Sequence, residues 1–266
     1  MLGRRRLLIG FLSVALFVNV AMISCDRPVT HSAKEEPSVC DSAKVWPKVL
    51  SEYHLETQYG DLILLKPDMG QLQMEMMCGD VPSANNDSII LAFAGAFTGT
   101  DFYKQHSNVA GDHVSGGKRY KGFRSKRNTG AFTWSEKSGP QFFYKDYSMA
   151  LDRAAQEGGM GFAQEMMIHR GRAVPTARPL GNKNVFRALC ADADGTLALY
   201  ESQGQISFGN FIEALLAQGV KEALYTDMGQ GWNYCFYRSH YAEASPKYLH
   251  SESLPYASNF ITIKIR

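Results

Sequence analysis

The sequence predicts an α+β fold: a single domain over residues 41–266, built on a twisted mixed or mostly antiparallel β-sheet with a few packed helices. Three observations predict it. From Tyr53 onward, short apolar stretches alternate with Gly, Pro, Asn and Asp, which is the punctuation of short strands. Two segments carry helical signals with a stop residue. No repeat of fixed period and no second linker divides the chain. Its 266 residues are 45% hydrophobic, 12% aromatic and 20% charged, a globular composition that excludes disorder, collagen and a coiled coil.

The first 24 residues read as an export signal. Arg4, Arg5 and Arg6 precede an apolar run from Leu7 to Ile23, and Ser24 and Cys25 follow. A basic start, an apolar middle and small residues at the end are the parts of a signal peptide. An uncleaved anchor helix is the alternative, since this length just spans a bilayer. Met22-Ile23-Ser24-Cys25 resembles a bacterial lipobox, which makes Cys25 the lipidated N-terminus. Residues 25–40 are polar and form a tether. The rest of the chain then belongs to a bacterial cell envelope, lipid-anchored and facing the periplasm or the exterior.

The formal charge of +2 includes the leader; without Arg4, Arg5 and Arg6 the count is 25 basic against 26 acidic residues. A near-neutral mature chain is not a strongly cationic nucleic-acid binder. Four further cysteines, Cys40, Cys78, Cys190 and Cys235, allow three disulfide pairings in an exported chain; four buried thiols are the alternative. None has C-x-x-C spacing, which excludes a zinc ribbon.

Within the folded part, Leu62–Leu65, Leu72–Met77 and Ile89–Phe93 read as strands. Leu72, Met74 and Met76 alternate with Gln71, Gln73 and Glu75, the pattern of a half-buried strand. Asn85-Asn86-Asp87 makes the turn before the next one. Residues 98–145, dense in Gly, Lys, Arg and aromatics, read as short strands and long loops. A first helix covers Ser148 to Glu157 and stops at Gly158-Gly159. Phe162 to Ile168 is an apolar strand with Glu165 inside it. Val185–Ala191 and Thr196–Tyr200 form a hairpin around Asp194-Gly195. A second helix is capped by Ser207, repeats Phe208, Phe211, Ile212 and Leu215, and stops at Gly219. A strand at Glu222–Thr226 and an alternating tail, Asn259–Ile265, complete the sheet.

Several constellations bear on chemistry. Asp192, Asp194, Gly195 and Glu201 mimic half of a calcium loop, but Cys190 stands at its first ligand position, so a hairpin turn is the better reading. Lys118, Arg119, Lys121, Arg124, Lys126 and Arg127 crowd into ten residues. They form a solvated face or a seat for an acidic glycan or phosphate. The seven histidines show no helical ligand spacing, so no metal site is read from them. No G-x-S-x-G elbow is present. The most unusual segment is Asp227-Met-Gly229-Gln-Gly231-Trp232-Asn233. A carboxylate at a strand end is held by the sheet, and the glycines admit backbone amides to an anion or a sugar. Trp232 offers a stacking face. A tight turn with an Asp cap is the plainer alternative.

Residues from about 88 to 266 resemble the phosphodiester glycosidase domain family, which includes the uncovering enzyme of mannose 6-phosphate tagging and exported bacterial relatives. Phe93-Ala94-Gly95-Ala96-Phe97 stands where the family has an Asn-Gly-Gly-Phe-Phe-like strand end. Arg187-Ala188-Leu189 followed by the Asp194-Gly195 hairpin resembles its Arg-Thr-Ala strand. Thr226-Asp227-Met228-Gly229-Gln230-Gly231 stands for Leu-Asp-Gly-Gly-Gly-Ser. The early Asn is Ala94 here, and Met228, Gln230 and Gly231 also depart from the pattern, which marks a divergent member.

The resemblance implies cleavage of a bond between sugar C1 and a phosphate oxygen. A phosphate leaves as a stabilised anion, so an arginine replaces the general acid of ordinary glycosidases. Asp227 is then nucleophile, base or oxocarbenium stabiliser, and Arg187 holds the phosphate; a structural salt bridge is the alternative for Arg187. Glu165, an acid among apolar residues, is a third catalytic candidate. Gly229, Gly231, Trp232, Asn233 and His113 complete the substrate-binding set. No cofactor is expected. The implied partners are a glycan or sugar-phosphate substrate and, through the N-terminal lipid, a membrane; no nucleic acid and no obligate protein partner are expected. A catalytically inactive carbohydrate- or phosphate-binding lipoprotein is the competing reading.

Overall fold

Strands dominate the computed structural model, which describes residues 47–99, 105–229, 231–241, 243, 245–253 and 259–266. The expected leader, lipobox with Cys25 and tether, and Cys40, lie outside the described residues. Among the described residues there are nineteen strands and two helices, so the fold is mainly β rather than a balanced α+β. In place of the expected single sheet, the described residues form three sheets and a two-stranded ribbon, and every pairing between these strands is antiparallel.

The seven-stranded sheet runs, edge to edge, through Leu50–Leu55, Leu62–Pro67, Leu197–Ser202, Arg187–Ala191, Glu222–Tyr225, Met166–His169 and Arg172–Ala173. Its central strands are buried along their whole length. The reason is that both faces are covered. One face packs into the main core with Leu65, Leu189, Leu199 and Leu224. The other meets the helix Phe208–Ala217, whose Phe208, Phe211, Ile212 and Leu215 pack on Leu62, Leu64, Ala188 and Tyr200. Ser207 caps this helix, its Oγ accepting from the Asn210 amide at 3.1 Å. Gly219, at φ +81°, turns the chain out of it.

One five-stranded sheet carries, in order, Lys247–His250, Cys235–Tyr237, Ile89–Ala94, Asn259–Ile265 and Leu72–Cys78. Leu72, Met74 and Met76 are buried and Gln73 and Glu75 are half-exposed, as their alternation predicts. The other five-stranded sheet carries Lys118–Tyr120, His113–Ser115, Met160–Gln164, Gly130–Ser135 and Gly139–Tyr144. The helix Ser148–Gln156 covers it through Leu151 and Ala154 against Val114. Phe93, Phe132, Phe162, Leu189 and Ile261 meet in one core shared by all three sheets. Among the described residues no helix is long and apolar enough to cross a membrane.

The apolar run from Phe162 to Ile168 is two strands rather than one. Gln164 ends a strand of the five-stranded sheet and Met166 begins one of the seven-stranded sheet, so Glu165 is where the chain changes sheets. Near this point two other strands end, Ile89–Ala94 and Glu222–Tyr225. The Gly95 carbonyl accepts from the Asp227 amide at 2.9 Å and from Gln164 Nε2 at 3.4 Å. The ends of three sheets are therefore tied together at one backbone carbonyl.

Candidate functional site

Asp227 follows the Glu222–Tyr225 strand by two residues and is 7% exposed. Its carboxylate is held by backbone amides: Oδ2 accepts from Thr98 N at 3.2 Å and Oδ1 from Gly229 N at 3.1 Å. Loss of hydration raises its pKa to about 6, against the opposing pull of the Gly229 and Thr98 amides, the Arg187 charge and the Met228 amide. Burial of a carboxylate is unfavourable to the charged form, and oriented amides recover part of that cost. A carboxyl group that changes charge near pH 6 is suited to proton transfer or to stabilising a developing positive charge.

The two glycines after it differ in role. Gly231 adopts φ +76°, the left-handed region where a Cβ is strained. A Cβ on Gly229 would meet Trp232 Cε3 at 3.4 Å and Asp227 Oδ1 at 3.5 Å, ordinary contacts, so the contribution of Gly229 is its amide. Trp232 is half-buried and packs against the cluster of Ala92, Ala94, Tyr234 and Phe260. Part of its ring is covered by that cluster. Gln230 lies outside the described residues.

Arg187 has no exposed surface. Its Nε donates to Glu201 Oε2 at 2.7 Å, and its Nη2 lies 2.6 Å from the same oxygen and donates to the Asn233 carbonyl at 3.0 Å. Glu201 faces Arg187 directly across the hairpin ladder. Its second oxygen lies 2.9 Å from His250 Nε2, and His250 Nδ1 lies 2.9 Å from Asn233 Nδ2. Burial pushes the Glu201 carboxyl up, but the charge of Arg187 and the hydrogen bond from His250 outweigh it and hold it below its ordinary value. Of the two roles the sequence allows Arg187, phosphate ligand or structural salt bridge, the geometry has it in a buried ion pair with Glu201, its charge acting on Asp227. One nitrogen, Nη1, is buried and has no hydrogen-bond partner among the described residues. Asn233, read as substrate-binding, belongs to this network.

Glu165 is fully buried, as its apolar neighbours predict. It is not alone there: Thr176 Oγ1 donates to Oε1, and Arg178 Nε and Nη2 donate to Oε2 at 3.3 and 3.2 Å. The Arg178 guanidinium lies 4.4 Å from the Tyr225 ring centre and 5.0 Å from that of Phe208. Burial pushes the Tyr225 hydroxyl up to about 12; the Arg178 charge opposes this, the Asp227 and Glu165 carboxylates add to it, and Arg187 opposes it again. Two acids and two arginines thus surround one buried tyrosine. A cavity of about 340 Å³ opens beside them, lined by Thr176, Arg178, Leu180 and Gly209.

His113 does not join this group. It has no exposed surface, its Nε2 lies 3.0 Å from His106 Nδ1, and its Nδ1 contacts the Gly111 carbonyl at 3.2 Å. Burial pushes its pKa down to about 4. Cys78, His106 and His113 place their ligand-type atoms within 4.8 Å of one another. Cys190 and Cys235 are buried free thiols and Cys78 is a half-buried one.

Sequence reasoning missed the groups that complete the site, because they carry no motif. Thr98 acts through its amide. Asn259 accepts from the Ala96 amide at 2.7 Å and donates to Ala96 O at 3.0 Å and Thr98 Oγ1 at 3.3 Å, fixing the strand end that presents Thr98. Exposed Arg127, from the basic run, lies 5.8 Å from the Phe97 ring centre, and Phe97 lies 5.5 Å from Tyr225. The basic run also lines a cavity of about 620 Å³ through Arg119, Arg124 and Lys126.

No family model matches the chain, and no curated protein matches it. Solved structures of other proteins share its fold, two of them as follows. One is the catalytic domain of zebrafish N-acetylglucosamine-1-phosphodiester alpha-N-acetylglucosaminidase, auto-inhibited by its pro-peptide, at 14% identity and a TM-score of 0.54 over 85% of each chain. The other is a hypothetical protein from Synechocystis, at 12% identity and a TM-score of 0.56 over 82% of this chain and 62% of that one.

Two predictions follow from the buried charges. Arg187→Met leaves Glu201 buried without its cation, an expected loss of about 3–5 kcal/mol in denaturant unfolding. Adding Glu201→Gln recovers at least about half of that loss; a single variant within 1 kcal/mol of wild type, on the scale of about 1 kcal/mol for surface pairs, removes the pair from the account. The second concerns Asp227. Its folded pKa lies above the unfolded value, so folding is favoured by this group below about pH 4 and less so as pH rises through 6. The stability of wild type relative to Asp227→Asn is expected to fall by about 3 kcal/mol from below pH 4 to above pH 6. A difference that stays flat across that window contradicts it.

Proposed function

We propose that the chain is a hydrolase that cleaves a glycosyl phosphodiester, a sugar C1 bonded through oxygen to phosphate. The observation that carries this reading is Asp227. A carboxylate with a pKa near 6 sits at a strand end, held by two backbone amides, in a fold like that of the zebrafish phosphodiester glycosidase domain. At neutral pH such a group is mostly ionised. It is placed to oppose the positive charge that develops at C1, or to attack it, while the phosphate leaves as an anion.

The cation that meets the phosphate is assigned to Arg127 rather than Arg187. Arg127 is exposed, stacks over Phe97, and so stands one residue from the Thr98 amide that holds Asp227. Its guanidinium matches a phosphate bidentately. Arg187 is then a positioning residue that keeps Asp227 ionised. Glu165, paired with Arg178, frames the other side of Tyr225. The protein is further proposed to work outside the cytoplasm of a bacterium, tethered through lipid on Cys25. The leader and lipobox of the sequence support this.

Sugar release from a panel of sugar-1-phosphodiesters tests the reaction. Asp227→Asn is expected to lower kcat by about 10²-fold or more with a small change in KM, and Arg127→Ala to raise KM. The acid limb of kcat/KM should turn near pH 6, the Asp227 value. If the wild type releases no sugar and ligand affinity depends on Trp232 instead, the chain is a binding module.

Membrane fractionation tests the anchor. Cys25→Ala should leave the membrane fraction or accumulate with its leader uncut, whereas wild type loses residues 1–24. Wild type that retains the leader refutes the lipid anchor.

A further inference from the structure

We propose that Cys78, His106 and His113 bind one zinc ion, with water in the fourth position. Three elements bring the ligands together. Cys78 ends the Leu72–Cys78 strand, His113 opens the His113–Ser115 strand, and His106 lies in the turn before the bridge of Thr98 to Val109. Their sulfur and nitrogen atoms lie within 4.8 Å of one another. His106 Nδ1 and His113 Nε2 are 3.0 Å apart. A tetrahedral zinc with bonds of about 2.05 Å to nitrogen separates its ligands by about 3.3 Å, so a small opening of this pair admits the ion.

The surroundings prepare the ligands. The Gly111 carbonyl only accepts, so the His113 Nδ1 facing it at 3.2 Å carries the proton, and its Nε2 lone pair points at His106. A backbone carbonyl on the second ring nitrogen is the usual orienting partner of a metal-bound histidine. His106 stacks on Tyr120 with ring centres 3.4 Å apart and planes within 5°, which sets its direction. Ser115 donates to the Met76 carbonyl at 2.7 Å and stands beside the Cys78 sulfur. One thiolate and two imidazoles select a thiophilic transition ion over calcium or magnesium. On binding, Cys78 releases its thiol proton as the sulfur–zinc bond forms, and His106 moves its Nδ1 proton to Nε2.

Such an ion would staple the stretch around His106 to a sheet edge. Cys78 pairs with Asn259 in the ladder, and the Asn259 side chain holds Ala96 and Thr98. The zinc is therefore a clip on the segment that presents the Thr98 amide, and its existence does not depend on the reaction proposed above.

The test is a titration of the full-length chain, stripped with chelator and kept under reductant, with Zn²⁺ against a chromogenic competitor. The expected result is about one Zn²⁺ per chain, with affinity lowered roughly 10-fold or more in His106→Gln and in Cys78→Ser, and unchanged in His54→Gln. Co²⁺ in place of Zn²⁺ should give a sulfur-to-cobalt charge-transfer band that disappears in Cys78→Ser. His106 is half-exposed, so its variant folds even if the Cys78 variant does not. Absence of Zn²⁺ uptake by wild type, or uptake unaltered in His106→Gln, overturns the proposal.

Discussion

The buried carboxylate of Asp227 sets the terms for the structure around it. A charge removed from water must be met by dipoles or counter-charges within a few ångströms. Here it is met by the Thr98 and Gly229 amides and, at longer range, by Arg187. Each of these needs a fixed backbone. Thr98 is fixed by the Asn259 carboxamide and by its bridge to Val109. Arg187 is fixed by Glu201, Asn233 and, indirectly, His250. The three sheets are joined at the Gly95 carbonyl, which accepts from the Asp227 amide itself. The site and the sheet junction are the same feature.

The arginines divide the work by burial. Arg187 and Arg178 are almost wholly buried and each is matched to a buried glutamate, Glu201 and Glu165. Replacing either cation by an apolar group strands a charge, so these pairs specify the arrangement of the interior more than they add net stability. Arg127 is exposed and leans on an aromatic ring. An exposed guanidinium keeps its hydration until a ligand displaces it, which suits it to meet a phosphate.

Much of this was legible in the sequence. The helix Phe208–Ala217, its Ser207 cap and its Gly219 exit follow from apolar spacing and local turn chemistry. Leu72–Cys78 follows from strict alternation. Asp227 stood out because an acid before Gly-x-Gly is unusual at a strand end. What local pattern does not carry is which face a residue ends on. Arg187 and Glu201 lie 14 residues apart and meet only through the ladder register. Glu165 looked like one acid inside one strand, and the sheet change at that residue is a tertiary event. His106 and His113 lack helical ligand spacing, and they approach Cys78 because the Leu72–Cys78 and His113–Ser115 strands of two different sheets pack together. Continuous apolar runs also hid the number of sheets, since a strand covered on both faces has no period to read.

The sequence differs from the phosphodiester glycosidase pattern that it resembles at Ala94, Met228, Gln230 and Gly231. Met228 and Gln230 replace two expected glycines, and Ala94 replaces an asparagine. Yet the groups that hold Asp227 are the amides of Thr98 and Gly229, and any residue other than proline supplies an amide. Met228 is buried and packs with Phe208, Tyr225 and the second helix's neighbours, so its side chain is accommodated by the core. Gly231, which stands where the resembled pattern has Ser, adopts φ +76°, the left-handed region that favours glycine. The carboxylate, its two amide donors and its buried counter-charge therefore do not require a glycine at position 228. Asp227 and Arg187 are the positions where residue type matters, because a charge, unlike an amide, depends on the side chain.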